Sequence, residues 1–192
     1  MSGIEKIVKL FKERGDSDYG GEEVNQREHA LQCAALAEHA GASSTLITAA
    51  LLHDIGHLVH ALPADAPDQG IDDLHEELGN RFLKSMFPPA VSEPVRLHVD
   101  AKRYLCALDP PYLDQLSEPS LISLKLQGGP MSTEEVRAFE SNPFGMDAMR
   151  LRRWDDMAKV QDLQTPEIEH FLPFLEASLD QHAPRLPSEQ AG

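Results

Sequence analysis

The sequence predicts an all-α fold built as a single domain, on three observations. Apolar residues recur every three or four positions through most of the 192 residues, the period of helices with one buried face. No segment alternates polar and apolar residues between turn signals, as a half-buried strand would. No linker rich in Pro, Gly or Ser divides the chain, and its length suits one well-buried domain. Residues 1–184 are therefore expected to form the domain, and 185–192, beyond Pro184, a flexible tail.

In chain order, Ile4, Ile7, Val8, Leu10 and Phe11 mark an amphipathic helix over 3–13, and residues 15–21 form a turn-rich break around Tyr19. The pattern over 23–39 is helical again, with alanine-rich faces suited to close packing, and Ala40-Gly41-Ala42 ends it. Ser43 or Ser44 can cap the next helix, which carries an apolar run to about residue 60. Residues 61–73 are rich in proline and aspartate (Pro63, Pro67, Asp65, Asp68, Asp72, Asp73) and read as a loop long enough to act as a lid. Helical patterns resume over about 73–87, 92–105, 112–116, 119–126, 133–142, 145–159 and 167–179, with Gln127-Gly128-Gly129-Pro130 a firm break between two of them.

Composition excludes several classes of function. Seventeen Lys and Arg stand against 32 Asp and Glu, a formal net charge of −15, so neither duplex nucleic acid nor an anionic membrane finds the basic face it needs. An anionic small substrate would require a few cations to converge locally. Cys33 and Cys106 lie far apart in apolar helical contexts, which argues for buried thiols rather than a disulfide framework or a zinc ribbon. Glu5, Lys6 and Lys9 interrupt the N-terminal apolar pattern, so it is no signal sequence, and no apolar run approaches the length of a membrane span; a cytoplasmic location is expected.

The chemistry concentrates in Leu51-Leu52-His53-Asp54-Ile55-Gly56-His57. Adjacent residues on a helix point about 100° apart, so His53 and Asp54 can both reach one cation at its side. A carboxylate has two oxygens and can bridge two metal ions, whereas a neutral imidazole binds one. A buried aspartate among Leu51, Leu52 and Ile55 needs a metal or a strong hydrogen-bond partner. Four further positions keep it company: His29 in mid-helix, His75 just after the acidic loop, His98 one turn before Lys102, and Asp155 after Trp154. A single helical histidine is more often a surface or core residue than a ligand, the reading given to His39, His60, His170 and His182. For the others the signal is their order and company.

That order, H…HD…H…H…D, resembles the HD-domain superfamily of helical metalloproteins, whose common phosphohydrolase version has H…HD…D. The two added histidines mark its dinuclear subset. Asp18-Tyr19-Gly20-Gly21-Glu22, Asn25-Gln26, Glu28-His29, the run from His98 through Ala101-Lys102-Arg103-Tyr104-Leu105, Gly128-Gly129-Pro130-Met131 and Arg152-Arg153-Trp154-Asp155 narrow it. They are similar to the mixed-valent di-iron oxygenases that cleave hydroxylated phosphonates, over about residues 4–175.

The resemblance implies a single-domain helical HD fold. His29, His53, Asp54 and Asp155 would hold one iron, with Asp54 bridging to a second held by His75 and His98. His57, Lys102, Ser120 and Arg152 match phosphonate contacts. Tyr19 and Glu22 match a gating pair: the phenol takes an iron site when substrate is absent, and the glutamate meets the substrate's amino end. The implied reaction is O2-dependent cleavage of the C–P bond of an α-hydroxyphosphonate at an Fe(II)/Fe(III) site. (R)-2-amino-1-hydroxyethylphosphonate, giving glycine and phosphate, is the expected substrate, and the N-trimethylated analogue giving glycine betaine is the alternative. A metal-dependent HD phosphohydrolase is the alternative from another class. The implied partner is an upstream phosphonate hydroxylase. Gly20, where relatives carry a larger apolar residue, bears on the substrate's carbon end.

Overall fold

A computed structural model describes residues 2–59 and 74–179, and among these the regular structure is entirely helical. The expected lid over 61–73 and the expected tail over 185–192 lie outside the described residues. No described helix is long and apolar enough to cross a membrane.

Helix α1 (Gly3–Arg14) starts at a reciprocal cap between Ser2 and Glu5 and buries Ile7 and Phe11. Helix α2 (Gln26–His39) begins three residues later than the apolar pattern suggests, because Asn25 and Glu28 form the same kind of capping box. Ser43 caps helix α3 (Ser44–Leu52), its hydroxyl accepting from the Leu46 amide. The apolar run does not continue as one helix: α3 ends at Leu52, and a separate short α4 (Ile55–Val59) follows. The apolar periodicity over 44–59 runs through this break and does not show it. At Gly56 a Cβ would lie 1.9 Å from the carbonyl oxygen of His75, so only glycine lets α4 pass so close beneath the next helix.

That next helix, α5 (His75–Leu83), is entered through Leu74, whose φ of 51° is left-handed and uncommon for a residue with a side chain. Helix α6 (Pro89–Leu108) is the longest among the described residues, and α7 (Pro110–Leu113), α8 (Glu118–Leu126), α9 (Thr133–Glu140), α10 (Gly145–Met157) and α11 (Ile168–Ser178) follow. Helix α6 packs against α3, α5 and α10, while α2 and α11 cover the other side of α3. The apolar α3 is thus enclosed, and Leu46, Leu51, Leu52 and Ile55 join Phe11, Phe87, Phe171 and Leu175 in the main core.

The Gly128-Gly129 break has a structural explanation. Both glycines have left-handed φ (96° and 74°), and the turn is fastened to α6 by Arg103, which donates to the Gly129 carbonyl and pairs with Glu135. The Gly129 amide also donates to the Leu124 carbonyl, so the turn ties the end of α8 to α6.

Candidate metal and anion site

Six buried side chains from five elements meet at the centre of the fold. His29 comes from α2, His53 and Asp54 from the break after α3, His75 from the start of α5, His98 from α6 and Asp155 from α10. Asp54 divides them. Its Oδ2 lies 3.4 Å from His53 Nε2 and 3.6 Å from His29 Nε2, and its Oδ1 lies 3.5 Å from Nε2 of both His75 and His98. Asp155 Oδ1 stands 3.4 Å from His29 Nε2 on the first side.

Main-chain carbonyls set how three rings are used. Nδ1 of His29 lies 2.9 Å from the Ala158 oxygen, that of His53 2.9 Å from Ala50, and that of His98 2.6 Å from Val95. A carbonyl only accepts, so each Nδ1 carries the proton and each neutral ring turns a bare Nε2 lone pair inward. His29 and His53 then face each other at 3.0 Å, and two lone pairs at that distance repel unless a cation lies between or beside them. Nε2 of His75 and His98 lie 3.2 Å apart.

Asp54 Oδ1 is moreover a buried oxygen with no hydrogen-bond partner, a costly condition that a metal ion relieves. Two triads have ligand atoms mutually within 4.8 Å: His29-His53-Asp54 and Asp54-His75-His98. The residues present therefore fit two cations sharing Asp54. All donors are imidazole and carboxylate, suited to iron and its neighbours. Burial pushes the Cys33 thiol well up, with Asp155 and Asp54 adding, and Cys33 belongs to neither triad.

Electrostatics describes the same negative, lone-pair-rich centre. Burial would raise the Asp54 carboxyl, but His53, His98, His75 and His57 together hold it well below the usual range. Burial lowers His53 to about 4 despite the nearby Asp54 and Asp155. For His98 burial also lowers, but its contact with Asp54 prevails and the value is raised.

Beside this centre is a group of cations that the global charge conceals. Lys102, one turn after His98 on α6, is buried and donates to Ser123 Oγ at 2.8 Å. Burial, with Arg152 adding, pushes its ammonium down to about 7. Arg152 on α10 is also buried; its guanidinium donates to Asp155 Oδ2 at 2.8 Å, to Asp156, and to the Tyr112 hydroxyl at 3.0 Å. Burial alone would lower the Arg152 value, but Asp155 and Asp156 prevail and hold it well above the ordinary value, so it remains charged. Ser120 is buried on the first turn of α8, but the cap of that helix is Ser117. Half-buried His57 stacks on His75 with ring centroids 4.2 Å apart.

Tyr19 stacks on His29 at 3.9 Å and donates to Asp155 Oδ1 at 3.3 Å. It is carried there by a segment in which Gly20 and Gly21 both have positive φ. Burial pushes its phenol well above its ordinary value, with Asp155 and Asp54 adding. Glu22, on the same segment, is bound to Lys159 and Ser117. His39 and His170 are exposed, His170 pairing with Glu38, while His60 and His182 lie outside the described residues. Sequence reasoning missed Lys159, Ser117 and Tyr112, which share no spacing with the histidines. Asp156, the second carboxylate of Trp154-Asp155-Asp156, serves as an Arg152 partner.

The chain is similar to known proteins over most of its length. The HD domain family matches residues 27–138, a span that contains all four histidines of the centre and Asp54. The [1-hydroxy-2-(trimethylamino)ethyl]phosphonate dioxygenase (glycine-betaine-forming) of Leisingera caerulea is 45% identical over 179 residues, 93% of this chain and 91% of that protein. The hydroxymethylphosphonate dioxygenase of Gimesia maris is 43% identical over 182 residues, 92% of this chain and 88% of that protein. An uncharacterized protein of Acanthamoeba polyphaga mimivirus is 34% identical over 173 residues, 89% and 79% of the two chains.

Proposed function

The chain belongs to the HD-domain family, among its phosphonate dioxygenases, and from that premise we propose that it cleaves the carbon–phosphorus bond of an α-hydroxyphosphonate with O2. The products are phosphate and the matching carboxylate. Together they carry two more oxygen atoms than the substrate, so one O2 balances the reaction with no added reductant. The observation that carries this reading is the split environment of Asp54, each oxygen facing its own histidine pair, next to buried Lys102 and Arg152.

His29, His53, Asp54 and Asp155 would hold one iron, and Asp54, His75 and His98 the second. When bound, an Fe(II)/Fe(III) pair supplies O2 activation and the redox equivalents. The chain supplies the rest. Lys102, Arg152, Ser120 and His57 offer cations and donors to a phosphonate dianion, the local positive cluster that an overall charge of −15 otherwise denies it. Tyr19 covers the first metal position between His29 and Asp155, and so keeps water out until substrate displaces it. Glu22 meets the carbon end. An ammonium there gives (R)-2-amino-1-hydroxyethylphosphonate and the product glycine; the trimethylated compound named for one relative would give glycine betaine. Either substrate must be supplied by a reaction that hydroxylates the parent phosphonate at its α-carbon.

The test is reconstitution with iron and ascorbate under air, followed by measurement of phosphate released from a panel of α-hydroxyphosphonates. Phosphate is expected under air only. Release that continues without O2, or from phosphate esters instead, would make the protein a metal-dependent hydrolase.

A further inference from the structure

The carboxylate assigned to the substrate's carbon end is already engaged. Glu22 Oε1 lies 2.7 Å from Lys159 Nζ and accepts from Ser117 Oγ at 2.5 Å. Both side chains of the ion pair are only 14% exposed, so solvent screens it weakly. Lys159 follows the end of α10, and its ammonium also donates to Ser117 Oγ and Ser120 Oγ, each at 3.2 Å. It lies 5.8 Å from the centre of the Tyr19 ring and contributes to the lowering of Lys102. One lysine thus joins the Tyr19–Glu22 segment to the serine and lysine group on the anion side.

The charges decide what this arrangement selects. A bare Glu22 would attract a substrate ammonium and favour it over an uncharged group of the same size. With Lys159 in contact, an approaching cation meets a carboxylate and an ammonium together, and most of the attraction cancels. Resting on the reading above, in which Glu22 faces the carbon end of a bound phosphonate, we infer that Lys159 is the specificity-determining residue of the site. By holding Glu22 it suppresses selection for an ammonium-bearing phosphonate over an uncharged one. Lys159 acts on that choice through Glu22, whereas its contact with Ser120 bears on every phosphonate alike. A ratio of two phosphonates therefore isolates the first effect from the second.

The experiment titrates the metal-loaded protein by calorimetry with 2-aminoethylphosphonate and with propylphosphonate, which replaces the ammonium by a methyl group. Neither carries the α-hydroxyl that oxidation consumes, so binding is read without turnover. Lys159→Met should raise the preference for the aminated ligand on the order of tenfold, the effect of one released ion pair. Lys159→Arg, which keeps the pair, should leave the preference within about twofold of the parent, since another cation still holds the carboxylate. In Glu22→Gln/Lys159→Met the gain should vanish, because no carboxylate is left to release. Lys159→Gln replaces the Met variant if that one fails to fold. Equal weakening of both ligands in Lys159→Met would overturn the inference and leave Lys159 as a phosphonate anchor, as would a gain that persists without Glu22. If the parent protein binds neither ligand, the phosphonate reading itself fails, and this inference fails with it.

Discussion

Gly56→Ala sets two magnitudes against each other. In a helix alanine is favoured over glycine by roughly 0.5–1 kcal/mol, so propensity alone predicts a gain. The added Cβ, however, would stand 1.9 Å from the His75 carbonyl oxygen, 2.7 Å from its carbonyl carbon and 2.9 Å from its Cα, where ordinary contact begins at 3.4 Å. The atoms in the way are main chain, which no rotamer change can clear. Helix α4 and the start of α5 must separate by about 1.5 Å, the difference between 3.4 and 1.9 Å. Overpacking of this kind costs typically about 1–3 kcal/mol, which outweighs the propensity gain. A net loss of about 1–2 kcal/mol lowers Tm by roughly 2–8 °C in a chain of this size. The same displacement carries His75 away from His98 and Asp54, and metal ligation tolerates only about 0.2 Å. Metal analysis after iron loading should therefore find one iron per chain rather than two, alongside the lower Tm by calorimetry. A variant with unchanged Tm and two irons would refute both the close approach and its role in placing His75.

Asp54→Ala should remove both metals, since each half of the centre has one of its oxygens; full iron content by elemental analysis would rule out a bridge. Tyr19→Phe should change the visible and EPR spectra of the resting iron-loaded protein, while an identical spectrum would leave Tyr19 as a stacking partner of His29. Lys102 should set an alkaline limb on substrate affinity. Its ammonium, lowered to about 7 by burial and by Arg152, is charged below that pH and neutral above it, so KM rises as the pH increases through 7. Dividing by the profile of Lys102→Arg, whose cation persists, cancels the substrate's own ionisation, and a flat quotient would exclude Lys102 as the phosphonate's partner.

Helix type and order were legible because one face of nearly every element is apolar at helical spacing, and capping residues such as Asn25 and Glu28 sharpen the ends. The histidines were legible by their order; His53 stands out from a run of alanine and leucine, whereas His75, lying between Asp73 and Glu76, drew notice only by its place in the series. The break at His53-Asp54 was not, and neither was the close approach of Gly56 to His75, residues nineteen positions apart. Nor was the burial of Lys102 and Arg152, whose residue types ordinarily lie at the surface. Lys159 was invisible for the same reason: its partners Glu22, Ser117 and Ser120 lie in distant parts of the chain.

The three carbonyls that fix the histidine rings belong to Ala50, Val95 and Ala158, each fully buried. Each of these oxygens is present whatever side chain its residue bears, so no point substitution at those positions deletes the acceptor. Sequence drift there is limited by the room around each Cβ, with the imidazole tautomers untouched. What can disturb them is a change in the course of the main chain. Proline or an insertion near residues 50, 95 or 158 should cost metal retention more than a polar substitution of equal size. The first coordination sphere thereby inherits the mutational robustness of the backbone that frames it.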